Sequence, residues 1–230
     1  MPTILSLETA TNVCSVALTA ERETLVNLNL SVNHAHSEKI TLLISDCLRY
    51  AGLTWAHIDA IAVGKGPGSY TGLRIGVATA KGLCFALDKP LVAINTLESM
   101  AYQVANQIRG DYWMCPVIDA RRMEVYCAIY DQHLRTILPT SAKVIDEQSF
   151  EEQLSQQSIL FFGNGAAKCK PKLAGHPQAL FARDIVHPSA KAVGILAEQA
   201  FSEGRFENLA YFEPFYLKEF VTTVARSIGI

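Results

Sequence analysis

The sequence has no C-x-x-C pair. Its six cysteines, Cys14, Cys47, Cys84, Cys115, Cys127 and Cys169, lie far apart along 230 residues. That scatter argues against a thiolate zinc site or a thioredoxin-like dithiol and predicts reduced thiols in the core. No apolar run reaches membrane-spanning length. The opening MPTILSLETAT lacks the charged-then-apolar layout of a secretory leader, so a cytoplasmic protein is expected. An excess of one charge is missing too. The net charge is −2, which provides no basic field for nucleic acid. If the chain serves RNA chemistry, a partner supplies most of the phosphate contacts.

What is present is a folded globular chain, half of it hydrophobic and 18% charged, long enough for one large domain or two small ones. Apolar runs predict strands at TILSLE (3–8), CSVALTA and TLVNLNLSV, the last two split by the turn ERE. A helical stripe runs through Ile40, Leu43, Ile44, Cys47, Leu48 and Ala51, with Ser37 before it and Gly52 after it. A strand at 58–64, a helix at about 70–87, a strand at LVAIN and a helix at TLESMAYQVANQI complete the first half.

The second half starts again. MCPVIDARRMEVYCAIYD aligns without a gap on TILSLETATNVCSVALTA, placing Asp119 on Glu8 and Ala128 on Ala17. Each copy reads as a strand ending in a carboxylate, a tight turn and a returning strand. SILFFG, AAKCKPKLA and a long helix at about 190–203 follow. The repeated order predicts a duplicated α/β architecture, with lobes at 1–108 and 109–218 and a tail at 219–230.

The stretch GKGPGSYTGLRIG (64–76) invites a phosphate-loop reading, but its spacing matches neither G-x-G-x-x-G nor G-x-x-x-x-G-K-[ST]. Nor is it a nucleophile elbow, since Tyr70 stands where the last glycine of G-x-S-x-G belongs. Pro67 followed by Gly68 predicts a type II turn with positive φ at Gly68, and Ser69 predicts a helix N-cap. Gly72, Gly76 and Ala80, spaced by four, form one helical stripe. Mid-helix glycine costs about 1 kcal/mol against alanine, so the stripe has a use. The preferred reading is a partner interface made by Gly72, Arg74, Gly76 and Ala80 with Leu43 and Cys47 of the neighbouring helix. The alternative is burial under the chain's own helix at 37–51.

Strand, acid and hairpin, repeated in two halves, is similar to the actin-like ATPase and sugar-kinase fold (ASKHA, ribonuclease H-like). Active members carry D-x-G-[ST] after the strand, whose glycine lets backbone approach phosphates. Here the turns read Glu8-Thr9-Ala10-Thr11 and Asp119-Ala120-Arg121-Arg122, without glycine. The segments ILSLETAT, GKGPGSYTGLRIG, DARRMEVYCA and PFYLK (214–218) resemble the TsaB (YeaZ) family. The resemblance implies a non-catalytic bacterial subunit in making threonylcarbamoyladenosine in tRNA. A paralogue, TsaD, holds the metal and transfers the threonylcarbamoyl group to N6 of the adenosine beside the anticodon. A small ATPase, TsaE, completes the set. The family also forms homodimers, and tRNA would be met through the complex.

No catalytic or metal residue is expected in this chain. H-x-x-x-H, the paralogue's metal motif, is absent, and His34 and His36 are two apart with no further ligand evident. That counts against a metallopeptidase. No cofactor is expected, although weak nucleotide binding within the complex would fall at Glu8, Thr9, Thr11, Asp119, Gly163, Asn164 and Gly165. Glu8 and Asp119 are read as vestigial acids paired with nearby donors, and Arg121 and Arg122 as surface residues. An independent small-molecule kinase or ATPase of the same superfamily is the alternative.

Overall fold

The computed structural model describes residues 1–31, 36–105, 107 and 110–218. The first half runs β1 (Ile4–Glu8), β2 (Val13–Ala20), β3 (Glu23–Ser31), α1 (His36–Ala51), β4 (Ala60–Gly64), α2 (Tyr70–Leu87), β5 (Leu91–Ile94) and α3 (Thr96–Ala105). The second half repeats that order with β6 (Trp113–Asp119), β7 (Glu124–Tyr130), β8 (Thr136–Val144), α4 (Glu151–Gln156), β9 (Ile159–Phe162), α5 (Ala166–Leu173), β10 (Ala179–Phe181) and α6 (Ala190–Ser202).

The two five-stranded sheets are ordered β3-β2-β1-β4-β5 and β8-β7-β6-β9-β10. In each, the first three strands are antiparallel and the fourth and fifth run parallel to the first. β1 and β4 are buried along their whole length, as their unbroken apolar runs require. Edge strand β3 alternates exposed and half-buried positions. Glu8 and Asp119 occupy the same place, the last residue of the central strand of each sheet.

Side chains of α1 and α2 pack one face of the first sheet, where Ile40, Ile44, Cys47, Val77, Ala80 and Cys84 meet Leu5, Leu7, Val16 and Val63. The opposite face is covered by α6, through Val193, Ala197 and Ala200 on Ile4, Ala62 and Val92. The second sheet takes α3 on one face, with Leu97, Met100 and Val104 against Met114, Ile118 and Phe162. Leu154 of α4 with Cys169 and Leu173 of α5 cover its other face. The last helix of each half therefore lies on the other half's sheet, and the two helices meet in the middle layer. The expected cut between 108 and 109 separates the two sheets, and those two residues lie outside the described ones. The tail at 219–230 also lies outside them.

Beyond α6 the chain runs back as a strap. Glu207 N–H donates to Leu91 O (2.9 Å) and Phe215 N–H to Lys65 O (2.8 Å). Lys81 Nζ holds Phe212 O at 2.9 Å. Lys218 then reaches the other lobe, donating to Glu124 and to Ala120 O. All six cysteines are free and buried. Burial pushes the Cys84 thiol up to about 12. Among the described residues no helix is long and apolar enough to cross a membrane.

Candidate functional site

The acid that ends β1 turns inward. Glu8 is fully buried, and its carboxylate accepts Ala10 N–H at 2.7 Å and the Thr96 hydroxyl at 3.0 Å. Gly64 lies so close that a Cβ there would overlap the carboxylate. Burial raises the Glu8 pKa from 4.5 to about 7, and the hydrogen bonds from Ala10, Thr96 and Thr9 oppose that rise without cancelling it. Neither Thr96 nor Gly64 was foreseen at this site. Thr96 opens α3, and the sequence signal for it was only the threonine at a predicted helix start.

Thr9 fixes the approach of α2. Its hydroxyl donates to Gly72 O at 2.8 Å. A Cβ on Gly72 would run into Thr9 O, and one on Gly76 into the Thr9 hydroxyl. The glycine stripe is therefore turned inward onto the β1–β2 turn, which corrects the partner-interface reading of these residues. Gly72, Gly76, Ala80 and Cys47 are buried within the chain, and Leu43 is half-buried against the first core. Of the residues assigned to an interface, Arg74 alone is exposed, and its guanidinium lies 5.1 Å from the Tyr70 ring centroid.

The type II turn is also corrected. Positive φ falls on Gly66 (+104°), ahead of a cis bond to Pro67. Gly68 is small for another reason: a Cβ would overlap Ala10. Ser69 N–H donates to Ala10 O (2.7 Å). The Ser69 side chain accepts from Gly72 N–H as the expected N-cap (3.3 Å). The whole stretch 64–76 thus wraps Glu8, Thr9 and Ala10.

Thr11 is occupied locally, accepting Val13 N–H at 3.3 Å. In the second lobe, Asp119 is exposed, pairs with Lys168, and accepts Arg121 N–H at 2.6 Å. The Asn164 carbonyl oxygen accepts Asp119 N–H at 3.0 Å. Gly163 has φ +105° and packs on Val117 O, while Gly165 packs on Val117 and Ile118. Apart from Thr11, the residues considered for a nucleotide thus form two groups. Glu8 and Thr9 are bound up with α2 and α3, Asp119 with Lys168 of α5, and 163–165 with the end of β6. Glu8 and Asp119 each take donors from the chain itself. Lys168 was not foreseen. His34 of the histidine pair lies outside the described residues, and His36 is buried at the start of α1.

The outer face of the α1–α2 layer is open. Phe85 is 84% exposed on α2, and Leu42 (58%) and Tyr50 (60%) are exposed on α1. Helix α2 carries this uncovered apolar side chain, Phe85, away from its buried glycines.

The family model described as "TsaD: tRNA N6-adenosine threonylcarbamoyltransferase" matches residues 30–226. The tRNA threonylcarbamoyladenosine biosynthesis protein TsaB of Escherichia coli K12 is 33% identical over 220 residues, 94% of each chain. The chain belongs to the TsaB family. YeaZ of Pseudomonas aeruginosa superposes with a TM-score of 0.81 at 26% identity, over 94% of this chain and 100% of that one. A more distant likeness shows the fold alone. The activator of 2-hydroxyisocaproyl-CoA dehydratase from Clostridium difficile, solved with ADPNP, gives a TM-score of 0.53 at 10% identity over 90% and 98% of the two chains. The fold of this TsaB-family chain is the actin-like, two-lobed α/β fold that the repeated strand–acid–hairpin predicts.

Proposed function

We propose that this chain is the non-catalytic subunit of the bacterial machinery that places a threonylcarbamoyl group on N6 of the adenosine beside the tRNA anticodon, in tRNAs reading codons that start with A. It supports the metal-bearing paralogue TsaD, with the small ATPase TsaE as the third component, and meets tRNA through them. Kinship with TsaB of Escherichia coli supports the pathway. The observation that carries the non-catalytic part is the enclosure of Glu8. Its oxygens are held by Ala10 and Thr96, and the carboxylate fits where it does because Gly64 has no side chain. An acid that holds a hydrated magnesium between phosphates must reach solvent, and this one is sealed in.

The residues considered for a nucleotide do not make a phosphate cradle. The Thr9 and Thr11 hydroxyls and the Asn164 carbonyl oxygen are engaged with the backbone at Gly72, Val13 and Asp119. Any nucleotide would bind only weakly, inside the complex, and no cofactor belongs to this chain alone.

The partner face is the apolar surface at Leu42, Tyr50 and Phe85, which takes the place of the glycine stripe. A homodimer when the paralogue is absent belongs to the same reading. The experiment is threonylcarbamoyladenosine synthesis by the paralogue and the ATPase with and without this chain.

A further inference from the structure

A second feature lies apart from the β1–α2 contact and the outer helical face. At the carboxyl ends of the parallel strands β4 and β5, a polar cavity of about 140 Å³ opens between Lys65, Asn95, Glu98, Gln199 and Arg205, floored by Ala93, Ile94 and Leu196. Open α/β sheets bind ligands in this position, beyond the carboxyl ends of their strands. The cavity also sits at the seam of the two lobes, because the Asn95 side-chain amide donates to the Thr140 hydroxyl on β8 at 3.0 Å.

Its charges are unpaired across the gap. Glu98 is half-buried, and burial raises its pKa while Arg205 and then Lys65 draw it back down. Both cations thus lie within electrostatic reach, yet neither forms an ion pair with Glu98 among the described residues. Lys65 has its backbone fixed on both sides, by Ile94 O and by Phe215 N–H. It has no ion-pair partner among the described residues. Arg205 is steered from outside, its Nε donating to Glu203 at 2.6 Å, and Gln199 donates to the same carboxylate at 2.9 Å.

We propose that this cavity binds a small zwitterion of the α-amino-acid type, its carboxylate between Lys65 and Arg205 and its ammonium on Glu98. An anion alone would face the Glu98 carboxylate, and a cation alone would face two positive groups. A neutral molecule would leave the half-buried Lys65 and Glu98 without a charged partner. The volume holds about four or five waters at roughly 30 Å³ each, room for an amino acid with a short side chain or none.

The test is a titration of the full chain with glycine, L-alanine and L-serine, followed by the backbone amide resonances of 93–98 and by calorimetry. Acetate and methylammonium serve as the two half-molecules. The proposal expects saturable shifts with the amino acids and at least tenfold weaker binding of each half-molecule. It expects Glu98→Gln and Lys65→Met each to lower affinity tenfold or more with circular dichroism unchanged. Arg205→Gln alters an exposed side chain, so it reads the same loss even if an inner variant fails to fold. Amino acids that cause no shift overturn the proposal and leave a cavity of water only. Acetate binding as tightly as glycine overturns it in favour of a simple anion site.

Discussion

Gly76 lies directly beneath the hydroxyl of Thr9, so close that the smallest side chain on α2 at this point would overlap it. The same threonine donates to the carbonyl of Gly72 one turn earlier. The absent side chains let α2 settle on the turn that follows β1. Gly76→Ala should therefore destabilise the monomer by ~1–3 kcal/mol through overpacking, lowering Tm by about 2–4 °C for each kcal/mol in a chain of this size. Gly76→Leu should do more. Thr9→Ala should recover part of the loss, so that the double mutant is better than the sum of the single ones. Thermal melts of the four proteins check this. Additive losses would place the glycine's role elsewhere.

Glu8 makes a pH prediction. Its folded pKa of about 7 stands above the ordinary 4.5. In that window the folded state holds the proton more tightly than the unfolded state. The Glu8 contribution to stability is thus full below about pH 4.5, falls as pH rises towards 7, and levels off above that. The rise amounts to ~3 kcal/mol at ~1.4 kcal/mol per pH unit. Glu8→Gln removes the titration while keeping an oxygen for Ala10 N–H. Urea unfolding of both proteins from pH 5 to 8 should show Glu8→Gln gaining on the natural chain as pH rises. A constant difference would contradict the buried, titrating carboxyl.

Much of this was legible in the residues. The gapless match of 114–131 on 3–20 foretold two copies of one sheet, because strand, acid and hairpin survive duplication as a pattern. Helix α2 is bounded as its cap and periodicity predict, from Tyr70 to Leu87. The direction of its glycine stripe was not legible. Spacing by four shows that Gly72, Gly76 and Ala80 share a face, but what that face meets depends on Thr9, more than sixty residues away in sequence. The turn at 66–69 was misread for a similar reason. Gly68 is required by contact with Ala10, and no local rule anticipates that. Thr96 at Glu8 and Lys168 at Asp119 are likewise products of tertiary approach.

Lys218 joins the strap to the second lobe, bridging Glu124 and Ala120 O with the Tyr126 ring 5.9 Å away. The pair is partly solvated, side chains 35% and 24% exposed, which limits its worth to about 1 kcal/mol. Lys218→Met should lower Tm slightly and speed proteolytic cleavage within 206–218. Limited proteolysis followed by mass spectrometry reads both the rate and the site. An unchanged cleavage rate would show that the bonds to Leu91, Lys65 and Lys81 hold the strap without Lys218.

Phe85 tests the partner face. At 84% exposure it contributes little to the monomer, so Phe85→Ser should leave Tm unchanged within about 0.5 kcal/mol. If the outer α1–α2 face docks the paralogue, the same change should weaken co-elution with it tenfold or more. Leu42→Ser should act in the same direction. Co-elution that persists in both variants would place the interface on another surface.

The most direct measurement is the yield of threonylcarbamoyladenosine on an unmodified tRNA, followed by mass spectrometry, with the paralogue, the ATPase and the threonylcarbamoyl donor present. With this chain the modified base should accumulate, and without it the yield should fall to background. The isolated chain should neither form the modified base nor turn over Mg-ATP. Full synthesis in its absence, or rapid ATP hydrolysis by the chain alone, would contradict the non-catalytic, supporting role.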